Sequence, residues 1–138
     1  MQKLKEILIV DDDDFCQLIH RVVIHKMEIT ERIILKSDGF QALLFLKEKY
    51  SRNGKLAPCS DLILLDIHMP IINGLDFLKA LQAMNGEGFI KSKVILLSSS
   101  DDAQTLQIAN HFGVKGLIQK PLTKAKLLGV LEQDAIKI

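Results

Sequence analysis

Leu62-Ile63-Leu64-Leu65-Asp66-Ile67-His68-Met69-Pro70 runs four apolar residues straight into one carboxylate, with a proline four positions further on. The apolar run is too short for a buried helix and lacks apolar–polar alternation. It reads as a strand covered on both faces, as in a parallel sheet. Pro70 has no N–H for a continuing central strand, so the strand ends near Asp66. Asp66 then lies at the carboxyl end of a buried strand, the edge where open α/β sheets bind ligands. Alone, such an Asp is as readily a turn cap as a functional group. The other strand ends decide its meaning.

Working outward, Ile7-Leu8-Ile9-Val10 is a second short apolar run, and it stops at Asp11-Asp12-Asp13-Asp14. Arg32–Leu35 reads as the second strand. Val94–Leu97 reads as the fourth, running into Ser98-Ser99-Ser100, and Gly116–Gln119 as the fifth, ending at Lys120-Pro121. Helical spacing fills the intervals. Phe15, Leu18, Ile19, Val22 and Val23 make one apolar face that fades near Met27, with Asp13 or Asp14 as the cap. Phe40, Leu43, Leu44 and Leu46 follow a turn at Ser37-Asp38-Gly39 and run to about Lys49. Leu75, Leu78, Ala80 and Leu81 follow Gly74, a tight-turn or helix-start residue, and Asn85-Gly86-Glu87-Gly88 ends that helix. Asp101-Asp102 opens a helix carrying Leu106, Ile108, Ala109 and Phe112, with Gly113 at its end. Thr123 caps the last, which carries Ala125, Leu127, Leu128, Val130 and Leu131. Segments 51–60 and 85–92 read as long surface loops, candidates for partner contact.

Five strands alternating with five helices make an α/β fold, a parallel sheet with helices on both faces. Right-handed crossovers favour the doubly wound order 2-1-3-4-5, with its switch point between strands one and three. The 138 residues suffice for one domain, expected to span 1–138, with no appended output domain. A net charge of +1 gives no argument for a nucleic-acid surface. Cys16 and Cys59 lack metal-site spacing, and the apolar run after Met1–Glu6 is too short for a signal core or a membrane span. A cytoplasmic, free-thiol protein is expected, with no direct nucleic-acid or membrane contact.

The doubly wound order brings the strand ends together. Neighbouring strands lie ~4.8 Å apart, so Asp11 and Asp12 come beside Asp66. Three such carboxylates repel one another unless something neutralises them. Mg²⁺ suits an all-oxygen set and commonly bridges carboxylates to a phosphate. Ser98 adds a hydroxyl and Lys120 a fixed charge, so metal, Lys and hydroxyl together accommodate three phosphoryl oxygens. A central Asp is itself a competent nucleophile for an aspartyl phosphate. Phosphoryl transfer asks mainly for positioning and charge neutralisation.

At this point the chain resembles the receiver domains of two-component response regulators. The resemblance rests on Ile7–Asp13, on Leu65-Asp66-Ile67-His68-Met69-Pro70 with Gly74, on Ser98 after the fourth strand, and on Lys120-Pro121 after the fifth. It covers residues 5–136 and implies a flavodoxin-like sheet. It implies that Asp66 is the phosphoacceptor and that Asp11 and Asp12 hold Mg²⁺, Asp12 more directly. The backbone carbonyl of His68 would complete the protein ligands. Ser98 would be the switch hydroxyl and Lys120 the phosphate contact, with a cis peptide often found before the proline matching Pro121. It also implies a sensor histidine kinase or histidine phosphotransfer protein as donor and a downstream protein as target.

The chain departs from the family at Leu117, where an aromatic residue usually swings inward on activation. That puts the aromatic switch in question, not the phosphorylation. His68 lies two positions past Asp66, where it either tunes hydrolysis or faces solvent as an ordinary loop histidine. One competing reading is an Asp-nucleophile, Mg²⁺-dependent phosphohydrolase. Such enzymes place a second acid two residues after the nucleophile, where this chain has His68, and they usually need a cap domain. The other is a receiver-like binding module that is never phosphorylated. An intact Asp11, Asp12, Asp66, Ser98 and Lys120 set argues against it.

Overall fold

Three strands, aliphatic except for a terminal Asp66 in one and Ser98 in another, have every residue buried, and the rest of the chain is wrapped around them. The computed structural model describes residues 3–52, 55–56, 61–68, 73–85, 87–99 and 103–136. In chain order the elements are β1 (Ile7–Val10), α1 (Asp14–Met27), β2 (Ile33–Lys36), α2 (Gly39–Tyr50), β3 (Ser51–Arg52), β4 (Lys55–Leu56), β5 (Leu62–Asp66), α3 (Gly74–Asn85), α4 (Glu87–Lys93), β6 (Val94–Ser98), α5 (Ala103–Phe112), β7 (Gly116–Gln119) and α6 (Lys124–Ile136). The main sheet has the order β2-β1-β5-β6-β7 and is parallel throughout. With the short β3 and β4 set aside, this is the expected 2-1-3-4-5 order.

Alternation along each strand builds two cores. Leu8 and Val10, Ile63 and Leu65, and Val94 and Leu96 point to one face, where they meet Ala42, Leu46, Phe77, Leu81, Ile90 and Phe112 from α2 to α5. Ile7 and Ile9, Leu62 and Leu64, and Ile95 and Leu97 point to the other, where Ile24, Leu127 and Val130 come from α1 and α6. Asp13 caps α1, accepting from the N–H groups of Phe15 and Cys16 at 2.9 and 3.1 Å. The Thr123 hydroxyl accepts from the Lys126 N–H at the start of α6. The Lys120–Pro121 peptide is cis. Among the described residues, no helix is long and apolar enough to cross a membrane.

Four features differ from the sequence reading. Segment 85–92 is not a surface loop: α4 occupies it, with Ile90 buried and Phe89 packed on the core. α3 ends at Asn85, position 86 lies outside the described residues, and Gly88 lies within α4, where the Phe89-Ile90 pair gives the helix something to bury. In 51–60, Ser51 and Arg52 pair antiparallel with Leu56 and Lys55; positions 53–54 and 57–60 lie outside the described residues, as do Asp101 and Asp102. The described residues therefore hold seven strands and six helices rather than five of each. Finally, α1 is rolled about its axis. Phe15, Leu18 and Val22, expected to be inside, are 68%, 52% and 42% exposed, while His20 and Ile24 are buried. Phe40, Leu44 and Leu106 are likewise exposed on their helices.

Gly74 starts α3 for reasons of space. Its N–H donates to the Ile67 carbonyl at 3.1 Å, and a Cβ there would meet the Ile67 Cα at 2.6 Å. Backbone cannot yield as a flexible side chain can, so Gly74→Ala should cost on the order of 1–3 kcal/mol, several degrees of Tm. Gly129, within α6, has nothing within 4 Å of such a Cβ. Gly129→Ala should instead stabilise by roughly 0.5–1 kcal/mol, the helix-propensity gain of Ala over Gly. Thermal unfolding of the two variants checks both signs.

Candidate functional site

Strand register assembles the site. Val10 pairs with Leu65, so Asp11 and Asp66 are neighbours just past the pair. Asp66 pairs with Leu97, which puts Ser98 one step further along the next strand. Ser98 pairs with Gln119, and the Lys120 N–H donates to the Ser98 carbonyl at 2.7 Å. Successive carboxyl ends thus present Asp11, Asp66, Ser98 and Lys120 along one edge. Carboxylate oxygens of Asp11, Asp12 and Asp66 all lie within 4.8 Å of one another.

Asp11 is fully buried and held from several sides. Its Oδ1 accepts from the Asp13 N–H at 3.0 Å. Its Oδ2 lies 3.0 Å from His20 Nε2 and 2.9 Å from Lys120 Nζ. The Gln17 side-chain amide donates to the Asp11 carbonyl at 2.6 Å and to the Lys36 carbonyl at 3.0 Å, tying α1 to the ends of β1 and β2. Asp66 is also buried, but it has fewer partners. Its Oδ1 accepts from the His68 N–H at 3.1 Å, and its Oδ2 lies 3.4 Å from Lys120 Nζ. Asp12 is exposed at the mouth, and the His68 side chain faces solvent. Ser98 is wholly buried. Leu117 is half-buried, packed against the core and paired with Leu96.

His20 and Gln17 are absent from the sequence-based set. The signal that finds them is the row Asp13, Gln17, His20, Ile24, which shares one face of α1. Three of its four members are polar, so a search for apolar periodicity passes over it. Cys16 is a free cysteine on the same helix. Burial is the largest influence on its thiol and raises its pKa, with Asp11, Asp13 and Asp66 adding to the rise and Lys120 opposing it.

The two buried carboxyls are pushed in opposite directions. For Asp11, burial works to raise the pKa, but the bonds from His20, the Asp13 amide and Lys120 outweigh it, and the value falls to about 2. For Asp66, burial dominates and nearby Asp11 adds to it. The His68 amide and Lys120 offset this only in part, and the value rises to about 6. Burial of Lys120 opposes its charge, but Asp11 and Asp66 outweigh it and raise its pKa. The split follows the distances: Lys120 is closer to Asp11, which also has more donors.

These shifts fix the sign of a pH effect on stability. Between about pH 2 and the ordinary carboxyl value of 3.8, folded Asp11 has lost a proton that the unfolded chain still holds. Rising pH stabilises there. Between 3.8 and about 6, folded Asp66 keeps a proton that the unfolded chain has lost. Rising pH destabilises there. For these two groups, metal-free protein should be most stable near the ordinary value and lose stability toward neutrality. Asp66→Asn should remove that loss and raise stability at neutral pH on the order of 3 kcal/mol, at ~1.36 kcal/mol per pKa unit. Thermal scans across pH in the presence of a chelator measure this; an Asn variant no more stable than wild type at neutral pH would contradict it.

Residues 7–132 match the response regulator receiver domain family. The probable C4-dicarboxylate response regulator DctR of Halalkalibacterium halodurans is 28% identical over 132 residues, 96% of this chain and 52% of that protein. The sensory/regulatory protein RpfC of Xanthomonas campestris pv. campestris is 34% identical over 76 residues, 55% of this chain and 10% of that protein. The chain thus spans about half the length of the first relative and about a tenth of the second. The crystal structure of a two-component response regulator from Cytophaga hutchinsonii is similar with a TM-score of 0.82 and 28% identity, covering 96% of this chain and 97% of that one. A family match running from β1 into α6, on a parallel sheet whose carboxyl edge gathers acidic side chains, leads to one conclusion: this chain belongs to the receiver domains of two-component response regulators, signalling phosphoacceptors that bind Mg²⁺ at an acidic cluster and are phosphorylated by histidine kinases.

Proposed function

We propose that this receiver domain accepts its phosphoryl group on Asp66. One observation carries the assignment: Asp66 is the buried carboxylate that shares a lysine yet has few donors of its own. With a pKa of about 6 it is largely ionised at neutral pH and keeps the basicity of a nucleophile. Asp11 already takes three donors, and Asp12 lies at the mouth. The donor is the phosphohistidine of a sensor histidine kinase or histidine phosphotransfer protein. An Asp66 oxygen forms the new bond to phosphorus as the P–N bond breaks, and the electron pair returns to the donor imidazole. Lys120 neutralises the transferred oxygens, and the Ser98 hydroxyl donates to one of them.

The acidic cluster fits Mg²⁺: its ligand atoms are all hard carboxylate oxygens. Asp12 and Asp66 would hold the ion directly and Asp11 through water, with the backbone carbonyl of His68 completing the set. Bound there, the ion supplies positive charge to the phosphoryl oxygens. The domain spans residues 1–138, acts in the cytoplasm and returns to its resting state by hydrolysis at the same carboxylate. It is not otherwise an enzyme. Its output is a changed protein-binding surface on the face made by β6, α5 and β7, with no direct contact to nucleic acid or membrane.

Intact mass after incubation with acetyl phosphate and Mg²⁺ tests the assignment. Wild type should gain one phosphoryl group and Asp66→Asn none; a gain that survives the substitution would place the acceptor elsewhere. Asp12→Ala should weaken Mg²⁺ binding by at least an order of magnitude by calorimetry, because it removes one of the few protein ligands Mg²⁺ takes. Fluoroberyllate should shift NMR signals from Ser98 through α5 while leaving Leu117 little changed. A silent α5 would exclude that face as the output.

A further inference from the structure

His20 sits in the middle of α1, 1% exposed, with its ring against Asp11. A carboxylate oxygen cannot donate, so His20 Nε2 carries the proton of the 3.0 Å bond to Asp11 Oδ2. The other ring nitrogen, Nδ1, is buried and has no hydrogen-bond partner among the described residues. The polar capacity of this ring is therefore spent on a single atom, Asp11 Oδ2. That same atom is held by Lys120 Nζ at 2.9 Å, while Lys120 is only 3.4 Å from Asp66.

This sharing poses a problem for the reaction. Lys120 is seated nearer Asp11 than the residue that takes the phosphoryl group. To meet a phosphoryl oxygen on Asp66 it must move away from Oδ2, an atom of a fully buried residue. A buried acceptor stripped of its donor is strongly disfavoured, so Lys120 would stay on Asp11 if it were the only donor there. His20 changes that balance. With Nε2–H still bonded to Oδ2, and with Oδ1 on the Asp13 amide, Asp11 remains satisfied when the lysine moves.

We propose that His20 is a positioning residue that holds Asp11 in place and so releases Lys120 from Asp11 to the phosphoryl group on Asp66. The inference rests on Asp66 being the phosphoacceptor. It predicts that His20 acts on the phosphorylation step more than on metal uptake, because its bond is made to the oxygen Lys120 must leave. It also predicts that any side chain delivering an N–H to the same spot will serve. Gln reaches as far as the imidazole Nε2 and keeps a donor; Leu fills the space without one.

The test compares His20→Leu, His20→Gln and Asp66→Asn with wild type, using acetyl phosphate as donor. The phosphorylation rate at saturating Mg²⁺ should fall about tenfold in His20→Leu, the usual scale for losing a partner that orients a site carboxylate. Half-saturation by Mg²⁺ should change much less, and His20→Gln should recover most of the rate. A general loss of fold would lower both variants together and would appear in their thermal unfolding. Long-range ¹H–¹⁵N spectra give a reading that a merely structural role would not produce: the Nε2–H of His20 should persist, still bonded, in the fluoroberyllate-bound form. Phosphorylation of His20→Leu at the wild-type rate, a folded His20→Gln no faster than His20→Leu, or loss of that Nε2–H bond with fluoroberyllate would each overturn the proposal with Asp66 intact as acceptor. Wild type that takes no phosphate, or Asp66→Asn that takes it as wild type does, would overturn the Asp66 reading and this inference with it.

Discussion

One lysine shared between two buried carboxylates is the constraint on which the carboxyl edge of this sheet depends. Lys120 Nζ stands 2.9 Å from Asp11 and 3.4 Å from Asp66. Neither acid can be buried charged without it or a metal ion, because an ion removed from water needs a counter-charge and hydrogen bonds. The backbone makes the sharing possible. Parallel pairing of β1, β5, β6 and β7 in the observed register delivers the acids, the hydroxyl and the lysine to the same level. A slip of one residue in any strand would turn its end group to the other face.

Unequal sharing divides the labour between the acids. Asp11 collects donors and stays ionised well below the ordinary carboxyl range. Asp66 is left with an amide and the longer lysine contact, and burial keeps it basic. A carboxylate with three donors engaged is a poor nucleophile and a good fixed charge. One held loosely is the reverse. The same arrangement leaves Asp66 a source of instability in the metal-free fold, as expected where function requires a buried charge with few partners.

The roll of α1 follows from the same constraint. Turning Phe15, Leu18 and Val22 inward would recover about 1 kcal/mol for each half-exposed side chain. It would also carry His20 and Gln17 away from Asp11. Breaking up the partners of a buried charge costs roughly 3–5 kcal/mol, which matches or exceeds the apolar gain. The helix still buries Ile24 and half-buries Ile19, Val23 and Met27, so the losses are confined to its outer row.

The sequence by itself determined the sheet and the positions of its functional ends. Short aliphatic runs that stop at Asp11, Asp66, Ser98 and Lys120 leave few topologies, since a parallel strand buried on both faces has a recognisable composition and right-handed crossovers limit its neighbours. The caps at Asp13 and Thr123 were legible for the same reason, being local in the chain. Tertiary structure alone decided which face of α1 turns inward, that Phe89 and Ile90 lie on a further helix, α4, and that His20 bonds Asp11. Apolar periodicity counts only what a helix gains by burial. A buried polar residue is justified by a partner that the helix pattern does not contain, here a side chain at the end of a neighbouring strand. The division between Asp11 and Asp66 lies further from the sequence still, because it turns on half an ångström in the placing of one lysine.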